Sequence, residues 1–110
     1  MVLHGSVEIV GSTPVLSLTG AVDLATVANL RDLLVRTISD HAGRTVVVDL
    51  DGVDALDDVG LGVLLGAAGR ARQTGGDLTV VCKSEHLRAR FSVTGLDRAI
   101  DVSPSIVGPR

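Results

Sequence analysis

Five aspartates, Asp49, Asp51, Asp54, Asp57 and Asp58, fall within ten positions of a 110-residue chain. Carboxylates this dense could hold a cation, accept a phosphoryl group or form an acidic contact surface. A calcium loop needs oxygen ligands at alternate positions, glycine at its sixth place and glutamate at its twelfth. Counted from Asp49, those two places hold Asp54 and Gly60, so the pattern fails. Magnesium on a loose carboxylate cluster is a weaker reading than a solvated acidic loop.

Other chemistry finds less support. Receiver-type phosphoacceptor domains carry an acidic pair after the first strand and a lysine after the last. Here the pair Asp57-Asp58 follows what would be the third strand, and no lysine comes after Lys83. His4, His41 and His86 are scattered and make no zinc spacing with Cys82. Ser84 and Ser92 lack an oriented histidine base, and no nucleophile elbow surrounds them. Gly60-Leu61-Gly62 and Gly66 are not followed by the Gly-Lys-Ser/Thr of a phosphate loop. Cys82 ends an apolar run and is expected to be an inert core residue. No metal, no cofactor and no catalytic turnover are expected.

The bulk composition narrows the class. The net charge is −3, from 10 basic and 13 acidic residues, with no Lys/Arg cluster, which argues against direct nucleic-acid binding. Phe91 is the only aromatic residue, so stacking platforms for bases are absent. Apolar residues make up 45% of the chain, enough for one core. No apolar run approaches the ~18 residues of a membrane helix, and the start Met1-Val2-Leu3-His4-Gly5 has no signal-peptide pattern. One cysteine suits a reducing compartment. The expectation is a single cytoplasmic domain over residues 1–110 without membrane insertion.

The elements that must position the aspartates follow from periodicity. Ser6–Val10 and Val15–Thr19 are β-rich runs around a hairpin turn at Gly11-Ser12-Thr13-Pro14. Asp23 can cap a helix whose apolar face is Val27, Leu30, Leu34 and Ile38, ending near Asp40–Gly43. Thr45–Leu50 reads as a buried central strand, followed by a loop. Leu61, Leu64, Leu65, Ala68 and Ala71 mark a second helix, which Gly75-Gly76 ends. Leu78–Cys82 is a strand. Ser84 caps a third helix with Leu87, Phe91 and Val93, stopped at Gly95; Ala99–Val102 is a last strand, and 103–110 a frayed tail. The order β-β-α-β-α-β-α-β predicts an α/β fold with a mixed, mostly parallel sheet of four or five strands flanked by helices.

The segment Leu56-Asp57-Asp58-Val59-Gly60-Leu61-Gly62-Val63-Leu64 then stands out. Two acids precede an apolar helix, where backbone N–H groups are unpaired and the macrodipole favours negative charge. The bland reading is a helix cap worth about 1 kcal/mol. One cap, however, needs only one acid.

With these residues the chain resembles the STAS family, specifically the bacterial anti-sigma-factor antagonists. Their hallmark is an Asp-Ser-Ser/Thr-Gly-Leu-Gly segment opening a helix after a strand, with the first serine as phosphoacceptor. The matching residues are Asp57-Asp58-Val59-Gly60-Leu61-Gly62. Gly20-Ala21-Val22-Asp23-Leu24 is similar to the family's Gly-x-Leu-Asp turn, Thr45–Leu50 to its central strand, and Ser92–Ala99 to its Gly-Leu turn.

The resemblance implies a binding module that regulates transcription by partner switching. Its partner would be an anti-sigma factor, a serine-protein kinase of the histidine-kinase-like ATPase type. The implied partner-binding residues are Asp23, Asp57, Asp58, Val59, Gly60 and Leu61, with Asp58 at the phosphoacceptor position. Asp58 and Val59 carry no hydroxyl, so the resemblance transfers the binding surface and not the serine switch. An alternative is a non-phosphorylated STAS accessory subunit of a membrane transporter for lipids or anions. The apolar N-terminal hairpin could also pair edge strands in a weak homodimer.

Overall fold

A computed structural model describes residues 2–105. Five strands form one sheet in the order β1-β2-β3-β4-β5, with β1 (Leu3–Val10) antiparallel to β2 (Thr13–Val22). From β2 onward every pairing is parallel: β2 with β3 (Thr45–Leu56), β3 with β4 (Asp77–Val81), and β4 with β5 (Asp101–Ser103). Helices α1 (Val27–Asp40), α2 (Asp58–Gln73), α3 (Glu85–Thr94) and the short α4 (Leu96–Ala99) lie between the strands. Each crossover steps the sheet the same way. Right-handed crossovers of that kind place all the helices on one face.

Burial follows that one-sided build. Leu16, Leu18, Val46, Val48, Leu78 and Val80 join Leu30, Leu34, Ile38, Leu61, Leu64 and Phe91 in one core. Among the described residues, the opposite face has only the small cluster Val15, Val47 and Val81. Strand alternation therefore separates a deep core from a thin apolar strip.

Several boundaries depart from the sequence reading. The hairpin turn is two residues, Gly11-Ser12, and both strands run longer than expected. The loop expected after Leu50 is strand: β3 continues to Leu56 because its register against β2 shifts between Ser17 and Thr19 and again between Gly20 and Ala21. These irregularities let Val53 and Leu56 turn inward while Asp51 and Asp54 stay outside. Leu65 is 42% exposed and Val93 86% exposed, so neither belongs to the buried stripe of its helix. The turn α4 was not foreseen, and the last strand is Asp101–Ser103 in place of Ala99–Val102. Ser103, assigned to the tail, pairs with Val81, and 106–110 lie outside the described residues.

Helix ends were better anticipated. Ser84 Oγ accepts from the Leu87 N–H at 3.2 Å, as a cap should. Gly95 ends α3 at φ 80°, a left-handed conformation that glycine adopts without a Cβ penalty.

Candidate functional site

The site forms where β2 and β3 end and α1 and α2 begin. The Asp57 N–H donates to Val22 O at 2.9 Å, tying the end of β3 to the end of β2. Gly60 then brings the first turn of α2 down onto both strands. A Cβ at Gly60 would come within 2.6 Å of Val22 Cγ1 and 2.7 Å of Leu56 Cδ1. Only a residue without a side chain permits that approach. Leu61, 5% exposed, points into the core beside it. Gly60 and Leu61 therefore seat the helix start, and the surface above them is made by Asp57, Asp58 and Val59, all exposed.

The two acids differ. Asp57 is the N-cap residue of α2, with extended φ −75° and ψ 161°, yet its side chain makes no cap hydrogen bond. The cap reading thus holds for its backbone alone: Asp57 O accepts from the Gly60 N–H at 2.9 Å. Asp58 stands in the first turn with its side chain 85% exposed, and its Oδ1 is 2.6 Å from Arg90 Nη2. Arg90 also donates through Nη1 to Leu56 O. One guanidinium from α3 therefore spans the β3–α2 junction, bonding the last carbonyl of the strand and the first carboxylate of the helix. The pair is short, but Asp58 is so exposed that its stabilising effect is at most about 1 kcal/mol.

Asp23 is used differently. Its Oδ1 accepts from the Ala25 N–H at 2.8 Å and the Thr26 N–H at 3.1 Å. Its own N–H donates to Thr26 Oγ1, which in turn donates to Ala21 O at 2.7 Å. Asp23 thus builds the turn before α1, whose N-cap residue is Thr26. That turn pushes Leu24 outward to 78% exposure. A shallow depression of about 490 Å³ joins the two turns, lined by Leu24, Leu56, Asp57, Asp58, Val59 and Arg90. Past Val59 a groove of about 510 Å³ runs between α1 and α2, with Val35, Val63 and Gly66 in its walls and Arg31 and Arg70 at its rim.

Leu24 and Arg90 were missed from sequence. Leu24 is the last residue of the family-like segment Gly20–Leu24 and could have been noticed there. Arg90 had no signal, because it lies 32 positions from Asp58.

The remaining aspartates do not gather at this site. Asp49 Oδ1 accepts from the Asp51 N–H, and Asp51 Oδ1 accepts from the Lys83 N–H at 2.8 Å, which fastens the β4–α3 link to β3. Among the described residues no group of three or more His, Cys, Asp or Glu side chains is placed to hold a metal ion. Cys82 is fully buried, and burial pushes its thiol above the ordinary range, which disfavours a reactive thiolate. No helix among the described residues is long and apolar enough to cross a membrane.

Known proteins share this fold. The family described as Mlab, STAS domain, matches residues 6–107. The anti-sigma-B factor antagonist of Bacillus subtilis (strain 168) is 32% identical over 92 residues, 84% of this chain and 83% of the relative. An anti-sigma factor antagonist from Mycobacterium paratuberculosis superposes with TM-score 0.79 at 24% identity, covering 96% of this chain and 88% of the other. The anti-sigma factor antagonist SpoIIAA in its unphosphorylated form gives TM-score 0.72 at 23% identity, over 90% and 87% of the two chains.

Proposed function

The chain belongs to the STAS domain family, and from that premise we propose that it is a non-enzymatic cytoplasmic antagonist that binds an anti-sigma factor of the serine-kinase type. The contact surface is the Asp23-Leu24 turn together with Asp57, Asp58 and Val59, held from beneath by Gly60 and Leu61. One observation supports this above others: two carboxylates and two apolar side chains project outward from turns anchored by backbone bonds. Loops fixed on a rigid α/β scaffold are where such contacts reside. The similarity to the Bacillus antagonist supports this partner class.

Asp58 removes the serine switch, because a carboxylate cannot be esterified by a serine kinase. Phosphoserine would bring about −1.5 to −2 charges and three acceptor oxygens, whereas Asp58 brings one charge, part of it drawn to Arg90. Asp58 is thus an incomplete copy of a phosphorylated site. Against a kinase-type partner shaped for serine, the wild type binds more weakly than Asp58→Ser, by about 1–3 kcal/mol. Calorimetry on the two forms with the cognate anti-sigma factor tests this; equal or tighter binding by the wild type sinks the phosphomimic reading.

The missing hydroxyl also favours a second reading, an unphosphorylated accessory subunit of a membrane transporter. A tagged pull-down from native lysate separates the two. Recovery of a transporter ATPase without any anti-sigma factor replaces the first reading with the second. Steady ATP or GTP hydrolysis that disappears in Asp58→Ala overturns the non-enzymatic assignment.

A further inference from the structure

The edge of the sheet formed by β1 carries a surface that the helix-start site does not use. The other edge, β5, is three residues long, whereas β1 has eight. Exposed edges are usually blunted by lysine, proline or a covering element. Leu3–Val10 contains no Lys, Arg or Pro and only one acid, Glu8. Val7, Ile9 and Val10 are 45%, 50% and 41% exposed.

The backbone shows which part of this edge is free. Val2 O accepts from the Ala21 N–H, and Val10 pairs with Thr13 across the two-residue turn. Alternation along an antiparallel ladder then turns the even residues of β1 toward β2 and the odd residues Leu3, Gly5, Val7 and Ile9 outward. Asn29 Nδ2 donates to the outward Leu3 O at 2.7 Å, so α1 caps that end. Gly5, Val7 and Ile9 are left with outward backbone groups that have no partner among the described residues.

We propose that Gly5–Ile9 of β1 is a self-association edge that pairs antiparallel with a second copy about a two-fold axis at Val7. This register uses the uncapped stretch and nothing else. Gly5 meets Ile9 of the second copy, Val7 meets its own counterpart, and the ladder gains about six hydrogen bonds. Ile9 has β-branched bulk, and Gly5 has no side chain. The space above Gly5 is floored by Leu33, whose Cδ1 lies 2.9 Å from where a Cβ would sit, so Ile9 of the second copy packs onto an apolar surface. On the other face, Glu8 lies diagonal to His4 of the second copy, pairing the only acid of the strand with its only basic ring. Gly5–Ile9 runs toward the hairpin tip, away from Val22 and the helix starts. Both partner surfaces therefore stay open in the dimer.

One strand pair buries less than the roughly 1,200 Å² of a stable complex, so association is weak and self-limiting. Sedimentation equilibrium on the full chain at roughly 10–500 μM reads it, with a dissociation constant in the micromolar range expected. Val7→Lys places two like charges at the axis and should weaken association by about tenfold or more. Val93→Lys, on α3 away from the edge, should leave it unchanged. Oxidation of Val7→Cys should give a cross-linked dimer, and Val93→Cys should not; this comparison decides the matter if Val7→Lys does not fold. A wild type that stays monomeric throughout the range, or a dimer indifferent to Val7→Lys with no cross-link through Val7→Cys, overturns the proposal. Neither outcome bears on anti-sigma binding, which is measured separately.

Discussion

Asp23 lies in the turn before α1 and Asp57 just before α2, and the two helix starts use their acids differently. At the start of α1, Asp23 turns its carboxylate back onto the Ala25 and Thr26 N–H groups and is spent on the turn. At the start of α2, Asp57 makes no side-chain cap and Asp58 reaches sideways to Arg90. The first start is stabilised by its acid. The second is stabilised by Gly60 and by backbone bonds, so its acids are available for contact. An aspartate before a helix can therefore be spent on closing a turn or left exposed, and its hydrogen-bond partners decide which.

Substitutions should separate the two starts. The largest effect is expected at Gly60, where Ala would press on Val22 and Leu56; Gly60→Ala should lose about 1–3 kcal/mol in urea unfolding. A loss near zero would mean that the close approach is not what seats α2.

Asp23→Ala should cost about 1–2 kcal/mol, because two backbone donors lose their acceptor. Asp23→Asn keeps the oxygen and should recover most of it. Failure of Asn to rescue would point to a role in contact beyond the turn.

Arg90→Gln removes the bond to Leu56 O and the exposed ion pair, for about 0.5–1.5 kcal/mol. The ion-pair part should shrink as salt is raised, whereas the carbonyl part should not. The double variant with Asp58→Asn should be less destabilised than the sum of the two singles.

The smallest effect on stability belongs to Asp57→Ala, which should stay within about 0.5 kcal/mol of wild type while weakening partner binding several-fold. Should the reverse hold, with stability lost and binding kept, the two helix starts would not differ as described.

Sequence periodicity made much of this legible. Leu30, Leu34 and Ile38 at helical spacing, Leu61, Leu64, Ala68 and Ala71, and the β-branched run Val46-Val47-Val48 foretold their elements and their inward faces. Ser84 and Gly95 marked the ends of α3, and the order of elements implied the parallel crossovers. Leu65 misled because Leu64 and Leu65 are adjacent, and a helix that buries one turns the other about 100° away. The loop expected after Leu50 misled because Asp51 and Asp54 are poor strand formers, yet strand irregularities let them face outward while Val53 and Leu56 are buried.

By itself the sequence determined the alternation of strand and helix, the buried positions Leu30, Leu34, Ile38, Leu61 and Leu64, and the exposed acids at the α2 start, since each depends on residues a few positions apart. Tertiary structure alone decided that Asp23 closes its own turn, that Arg90 lies across the β3–α2 junction against Asp58, and that Asn29 caps Leu3 while leaving Gly5–Ile9 bare. Local patterns report whether a side chain points in or out. Which group a carboxylate or a carbonyl meets depends on how elements pack through space, and contacts spanning 26 or 32 positions leave no period in the chain.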